Sequence, residues 1–368
     1  MKTYPWWEVV IGQKEYRHVQ KVLASGYLND GDITDAFERK LKQYLHVQYV
    51  IGVSNCTSAI FLSLLANNIG SGDEVIIPDL TFIATANAVR LTGATPILVD
   101  IDPQTLMIDP VAIEKQITRR TKAIIPVHVS GRPCQMDKIC DIAKKYHLFV
   151  IEDAAEALGS KYRKKYLGTI GHAGCFSFTA NKVITCGQGG AIVTNSVRLS
   201  HRLRALKDQG RPKRGTGGND RHNTVGFNFK LTNVQSAILL GQFQQLEKRL
   251  QHQRNLYNFY SKYLQNIPQI KLFQFETKKQ KGVLWIDARA KMRNNLLDYL
   301  SKEDIETRKF WFPIHTQRPY RQANQYFPIA SRASKNSFWL PSSFHLTEKD
   351  VQYICQKIRT FYNEKGRR

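Results

Sequence analysis

Leu148-Phe149-Val150-Ile151 is apolar at every position and runs straight into Glu152-Asp153-Ala154-Ala155-Glu156. A strand with one wet face alternates apolar and polar residues, whereas an unbroken apolar run belongs to a strand covered on both faces. The same plan recurs outward in both directions. Apolar runs at 49–53, 74–77, 96–99, 123–127, 175–178 and 191–194 are bounded by Gly, Asp, Pro or Ser breaks, and segments of helical length at 58–66, 83–91, 111–117 and 136–145 separate the earlier ones. Strand and helix in alternation predict an α/β fold with a mostly parallel central sheet.

Beyond residue 194 the pattern changes. Segment 202–207 reads as a basic helix, and 211–222 is a Gly-rich, charged loop with no apolar anchor. Thr232-Asn233-Val234-Gln235 has capping-box spacing and opens a long helix through Val234, Ala237, Ile238, Leu246 and Leu250. From about residue 268 a smaller α+β unit follows, with apolar runs at 270–273 and 283–286, a helix near 295–302 and a terminal helix over 349–362. The boundary falls near residue 266, giving a large domain over 1–265, with an N-terminal arm over about 1–30, and a small domain over 266–368.

With 368 residues the chain is long enough for both units and a sizeable core. Its composition, 42% hydrophobic and 23% charged, excludes wholesale disorder and fibrous repeats. Charge is the unusual quantity: 54 Lys and Arg against 30 Asp and Glu, a formal +24, which suits a nucleic acid, an anionic membrane or a phosphorylated small molecule. The six cysteines form no C-x-x-C and have no closely spaced histidines, so neither a metal site nor a disulfide framework is predicted. No apolar run approaches the ~18 residues that span a bilayer, and the first residues lack the apolar stretch of a signal peptide. A soluble, cytoplasmic protein without a membrane partner is expected. The basic residues are spread over loops and helix faces with no nucleic-acid motif. No G-x-G-x-x-G follows the first strand, which argues against a dehydrogenase.

Ligands of a parallel α/β sheet bind at the carboxyl ends of its strands, and four such junctions carry chemistry. Ser54-Asn55-Cys56-Thr57-Ser58-Ala59 offers backbone N–H groups and small hydroxyls at a helix start, an anion cup, although taken alone it reads as an ordinary N-cap. Asp153 follows a buried strand, where a carboxylate needs a cationic or N–H partner, and Glu156 shares its face if a helical turn begins there. Lys182 lies between one strand and the Gly-rich return Gly187-Gln188-Gly189-Gly190 into the next. Confined there with little water, its amine loses basicity and suits Schiff-base chemistry. Phe82, after the strand ending at Pro78, offers a ring face. Anion cup, ring, acid and amine are together the requirements of a pyridoxal phosphate site.

These motifs resemble those of the DegT/DnrJ/EryC1/StrS sugar-nucleotide aminotransferases, and the similarity runs from Pro5-Trp6-Trp7 to about Cys355. Segment 54–59 is similar to the family's SNGTSA, 78–88 to PxxTFxATANA, 152–159 to EDAAxAxG, 176–190 to FSFxxxKxxxxGxGG, 226–233 to GxNxxxT, and Pro313-Ile314-His315 to PLH. The chain departs from the pattern at Cys56, where the family has Gly, and at Gln188, where it has Glu. The resemblance implies the aspartate aminotransferase-like type I fold and pyridoxal 5'-phosphate as cofactor. It assigns Lys182 as the Schiff-base lysine and proton carrier, and Asp153 as partner of the pyridinium nitrogen. Phe82 would stack on the ring, Thr57, Ser58 and Ser177 would hold the phosphate, and Glu156 would lie near the ring hydroxyl. Asn228 would reach the phosphate in a neighbouring subunit, which implies a homodimer with shared sites.

The implied reaction is ping-pong transfer from L-glutamate to a nucleotide-linked keto-deoxysugar, with C4 of a 4-keto-6-deoxyhexose preferred and C3 the alternative. Substrate contacts are expected from Arg211, in a loop that also carries Lys213 and Arg214, and from Arg308 and His315. A basic regulatory or nucleic-acid-binding protein on the same fold is the competing class.

Overall fold

The computed structural model describes residues 2–212, 220–275 and 282–365. Seven strands form the main sheet: β1 (Tyr49–Val53), β2 (Glu74–Pro78), β3 (Thr95–Val99), β4 (Thr121–Ile124), β5 (Phe149–Asp153), β8 (Ala173–Ser177) and β9 (Gly190–Thr194), with a small hairpin of β6 (Lys161–Tyr162) and β7 (Lys165–Tyr166) between β5 and β8. Their order is β1-β9-β8-β5-β4-β2-β3. β9 pairs antiparallel with β1 and β8, and every other pairing is parallel. Six strands therefore share one direction, and register brings the ends of β1 and β8 together, since Val53 and Ser177 both lie opposite Gly190.

All seven apolar runs of the sequence become strands, and the run at 123–127 ends early. Pro126 has no N–H to donate, so β4 stops at Ile124 and Val127 makes only an isolated bridge to Asp153. The covering helices are α1 (Gln13–Ser25), α2 (Asp32–Leu45), α3 (Cys56–Leu65), α4 (Ala84–Leu91), α5 (Pro110–Lys115), α6 (Met136–Lys145) and α7 (Val197–Lys207). The predicted long helix is two: α8 (Asn233–Phe243), with its Thr232–Gln235 capping box, and α9 (Leu246–Leu264). Tight turns at Gln244 and Gln245, whose N–H groups donate to the carbonyls of Gly241 and Gln242, redirect the chain between them. α8 packs with α1 and α2 against the main sheet. α9 then carries Leu256, Tyr260 and Leu264 into a second core.

That second core surrounds a four-stranded antiparallel sheet of β10 (Ile270–Leu272), β11 (Ile286–Ala290), β13 (Ser337–Leu340) and β12 (Arg308–Lys309), in that order. The apolar run at 283–286 is displaced relative to its strand: Leu284 and Trp285 are buried in the core of the large unit, where the Leu284 N–H donates to the Ser130 carbonyl, while Val283 and Ile286 stay in the second core. Apolar packing does not divide at residue 266. Tyr4 belongs to the second core, whereas Phe310, Ile314, Phe327, Ala330 and Trp339 belong to the first. Residues 310–330 thus form a strap lying on the large unit. No described helix is long and apolar enough to cross a membrane.

Candidate active site

The carboxyl ends of β1, β2, β5 and β8 open onto one cavity of ≈ 810 Å³, within the range that holds a cofactor together with a substrate. Strand alternation sorts the two acids at the end of β5. Glu152 points away and is saturated by the N–H groups of Gly168, Ile170 and Gly171 and by His128. Asp153 faces the cavity. Its carboxylate accepts from Thr85 Oγ1 at 2.8 Å and from the Ala155 N–H at 3.1 Å, so two donors fix its plane.

Lys182 lies in the turn between β8 and β9 and lines the same cavity. Its Nζ stands 3.4 Å from Glu156 Oε1 and 4.8 Å from the Trp285 ring centroid. Glu156 is held from its other oxygen by the Ser130 N–H at 2.9 Å. At β1, Asn55 caps α3 by accepting from the Ser58 N–H at 2.8 Å. The N–H groups of Cys56 and Thr57 have no helical acceptor and remain for an anion. Gly190 lets the backbone close on this cup, since a Cβ there would fall 2.5 Å from the Asn55 carbonyl carbon. Thr57, Ser58 and Ser177 line the cavity beside the cup, and Phe82 lies across it with its ring 54% exposed.

Burial pushes the carboxyls of both Asp153 and Glu156 above the ordinary carboxylate range, because the nearby Lys182 compensates only part of their lost hydration. A buried acid short of a cation, facing an anion cup and an open ring face, fits pyridoxal phosphate: the pyridinium would supply the missing charge to Asp153, the cup would take the phosphate and Lys182 would reach the aldehyde. An acid whose folded pKa lies above its unfolded value contributes stability below the unfolded pKa that is lost as pH rises through the folded one. Wild-type protein without cofactor is therefore expected to lose melting temperature relative to Asp153→Asn as pH rises from about 4 upward, and added pyridoxal phosphate should shrink the difference. Parallel melting curves for the two proteins across that interval would contradict the assignment.

The remaining expected residues divide. Arg308 lines the cavity, its guanidinium held 4.8 Å above the Trp6 ring and 5.8 Å from Trp339. His315 does not reach the cavity. It is fully buried between Asp79 and Asn324, a core position that removes it as a direct substrate contact. Arg211 is also displaced from the site, since it pairs with Asp220 at 2.6 Å and with Asp208 at 3.6 Å. Lys213 and Arg214 lie outside the described residues. Asn228 is exposed and points away from the cavity that its neighbours Phe227 and Phe229 line, as alternation in an extended segment requires.

Residues absent from the sequence reading also shape the site: Thr85 behind Asp153, and Trp285, Trp311 and Trp339 on the far wall. Thr85 lies inside the quoted 78–88 motif, where an oxygen near the acid could have been suspected. The tryptophans come from the C-terminal third and carry no local spacing signal. Among the described residues no group of three or more His, Cys, Asp or Glu side chains is placed to hold a metal.

The model of the DegT/DnrJ/EryC1/StrS aminotransferase family matches residues 9–359. The chain belongs to that family. It is a pyridoxal phosphate-dependent aminotransferase, with the motif residues assembled on one cavity. The chain is 40% identical to the GDP-perosamine synthase of Escherichia coli O157:H7, over 99% of its own length and 100% of the relative's. It is 38% identical to the GDP-perosamine synthase of Caulobacter vibrioides over 88% of each. The solved DegT DnrJ EryC1 StrS aminotransferase from Brucella abortus superposes with a TM-score of 0.88, at 30% identity over 95% of both chains.

Proposed function

We propose that this aminotransferase moves the amino group of L-glutamate to C4 of a nucleotide-linked 4-keto-6-deoxyhexose, with GDP as the nucleotide, and so makes an amino sugar for glycan assembly. The observation that carries the reading is the whole-length similarity to GDP-perosamine synthase in a chain whose cavity has room beyond the cofactor. Perosamine is a 4-amino-4,6-dideoxyhexose, which favours C4 over C3.

Bound pyridoxal phosphate supplies the electron sink that makes a carbon–hydrogen bond beside nitrogen acidic. The residues do the rest. Asp153, fixed by Thr85 and Ala155, holds a proton on the pyridine nitrogen through its negative charge. Lys182 Nζ, as free amine, takes the proton from the donor's α-carbon and in the second half-reaction delivers one to the sugar carbon that gains nitrogen. Glu156 Oε1, 3.4 Å away, accepts from Lys182 Nζ and holds it at the cavity wall. Trp285 and Trp339, 97–99% buried at the cavity wall, keep water away. Arg308 takes the diphosphate, because it is the one cation besides Lys182 among the described lining residues.

The enzyme works in the cytoplasm as a homodimer. Exposed Asn228, turned away from its own chain's cavity, supports a partner's contribution. Incubating the protein with L-glutamate and GDP-, UDP- and dTDP-linked 4-keto-6-deoxyhexoses, then locating the new amine by NMR, tests the substrate. Amination at C4 of the GDP sugar with release of 2-oxoglutarate is expected; an amine at C3, or transfer to none of the panel, would overturn the proposal.

A further inference from the structure

Residues 310–330 come from the C-terminal third, yet they rest on the large unit, and Trp311, with Arg308 just before the strap, lines the cavity. Buried polar contacts fix this strap at three places. Asp79, directly after β2, receives the N–H of Ile314 on its carbonyl at 2.8 Å, the N–H of His315 on Oδ1 at 2.8 Å and His315 Nδ1 on Oδ2 at 2.6 Å. The Tyr320 hydroxyl donates to Asn87 Oδ1 at 2.8 Å. The N–H groups of Ile329 and Ala330 donate to the Asp100 carboxylate, each at 2.9 Å.

The first contact differs from the others in its isolation from water. Asp79 and His315 are both completely buried, the imidazole stacks on Phe327 at 4.6 Å, and its Nε2 lies 2.8 Å from Asn324 Oδ1. Apolar side chains could fill the same space with less desolvation, and a buried ionisable pair is poor evidence of stability. What such a pair adds is direction: three hydrogen bonds to one aspartate set both the height and the rotation of the chain at 314–315. The residues so set are at the cavity. Thr81 and Phe82 follow Asp79 on one side of it, and Arg308 and Trp311 precede His315 on the other.

We propose that His315 is a positioning residue for substrate selection: latched to Asp79, it holds Arg308 and Trp311 against the Phe82 side of the cavity and so sets the space for the nucleotide sugar. This rests on the preceding proposal that the acceptor occupies this cavity. The bonds of the latch join His315 only to Asp79 and Asn324, and neither Asp79 nor His315 lines the cavity beside Lys182 and Asp153, so it acts on the large second substrate more than on glutamate. Gln at 315 retains a side-chain N–H for Asp79, whereas Leu retains none and leaves Asp79 Oδ2 without its partner, only the backbone N–H of residue 315 still reaching Oδ1.

The test compares wild type with His315→Leu, His315→Gln and Asp79→Asn. The glutamate half-reaction is followed by the absorbance of the bound cofactor, the second half by KM and kcat for the keto-sugar nucleotide, and folding by melting temperature. Displacing a substrate-positioning wall by about an ångström costs about 10- to 100-fold. That rise is expected in KM for the nucleotide sugar with His315→Leu, with a change of threefold or less in the glutamate half-reaction and partial recovery in His315→Gln. Equal losses in both half-reactions, or losses that follow melting temperature with KM unchanged, would overturn the proposal. Hydrogen exchange across 308–327 reads the latch without any substrate: a local increase in His315→Gln and Asp79→Asn is expected, and unchanged exchange there overturns it. Failure of wild type on every nucleotide sugar, with that local increase present, would instead sink the substrate assignment.

Discussion

Lys182→Ala should abolish transamination, lowering turnover by at least about 10⁴-fold, as expected when a covalent and proton-carrying group is lost together. No other lysine is among the described residues that line the cavity. Nothing nearby replaces it: the other groups within reach of its position are the Glu156 carboxylate and the Trp285 face, one an acceptor and the other inert. The variant separates binding from chemistry. Anion cup, ring platform and Asp153 all remain, so pyridoxal phosphate should still bind, but reversibly. Borohydride treatment followed by mass spectrometry should add the cofactor's mass to wild type at residue 182 and nothing to the variant. A variant that turned over within tenfold of wild type, or that still fixed the cofactor covalently, would falsify the assignment of Lys182.

Asp153→Ala ranks second, with an expected loss of about 10²- to 10⁴-fold in kcat, the scale of removing a preorganised charge that acts on the developing transition state. The carboxylate is buried and fixed by two donors, so it would meet a protonated ring nitrogen without reorganisation. Asp153→Asn keeps the shape and can still accept from Thr85, yet has no charge to hold the ring proton, so it should fall nearly as far. Loss of a charge-assisted hydrogen bond also weakens cofactor binding by about 1.5–3 kcal/mol, or roughly 10- to 100-fold in Kd. Turnover of Asp153→Asn close to wild type would show that shape alone suffices and that the carboxylate is not the electronic partner of the ring.

The elements that build these two sites were legible because they depend on local pattern. Each of the seven strands is built on an apolar run, with polar residues such as Glu74, Thr95 and Lys122 toward the strand starts, and the chemistry sits where four of the runs end. Lys182, Asp153, Glu156, Phe82 and the 54–59 cup could be named from neighbours within a few residues. Three errors share a different cause. The helix expected through Leu250 breaks at Gln244–Gln245, because α9 must turn to reach a core whose other members come from the end of the chain. The run at 283–286 overlaps its strand only at Ile286, because Leu284 and Trp285 are buried against the large unit instead. His315, expected among the substrate contacts, is instead locked to Asp79, which lies 236 positions earlier.

The opening contrast at 148–156 shows the division most directly. The apolar run and the acids behind it determined, without any other part of the chain, that a covered strand ends in chemistry, since covalent spacing alone puts consecutive side chains on opposite faces. What holds Glu152 away and Asp153 in place came only from the fold, where Gly168, Ile170, Gly171 and His128 close around Glu152 and leave Asp153 to Thr85. The same holds for the substrate wall. Arg308, Trp311, Trp285 and Trp339 acquire a common role because the 310–330 strap lies back across the large unit. Such long-range closure is set by burial and hydrogen bonding between segments that local sequence cannot pair, whereas strand, cap and catalytic lysine follow from interactions a few residues long.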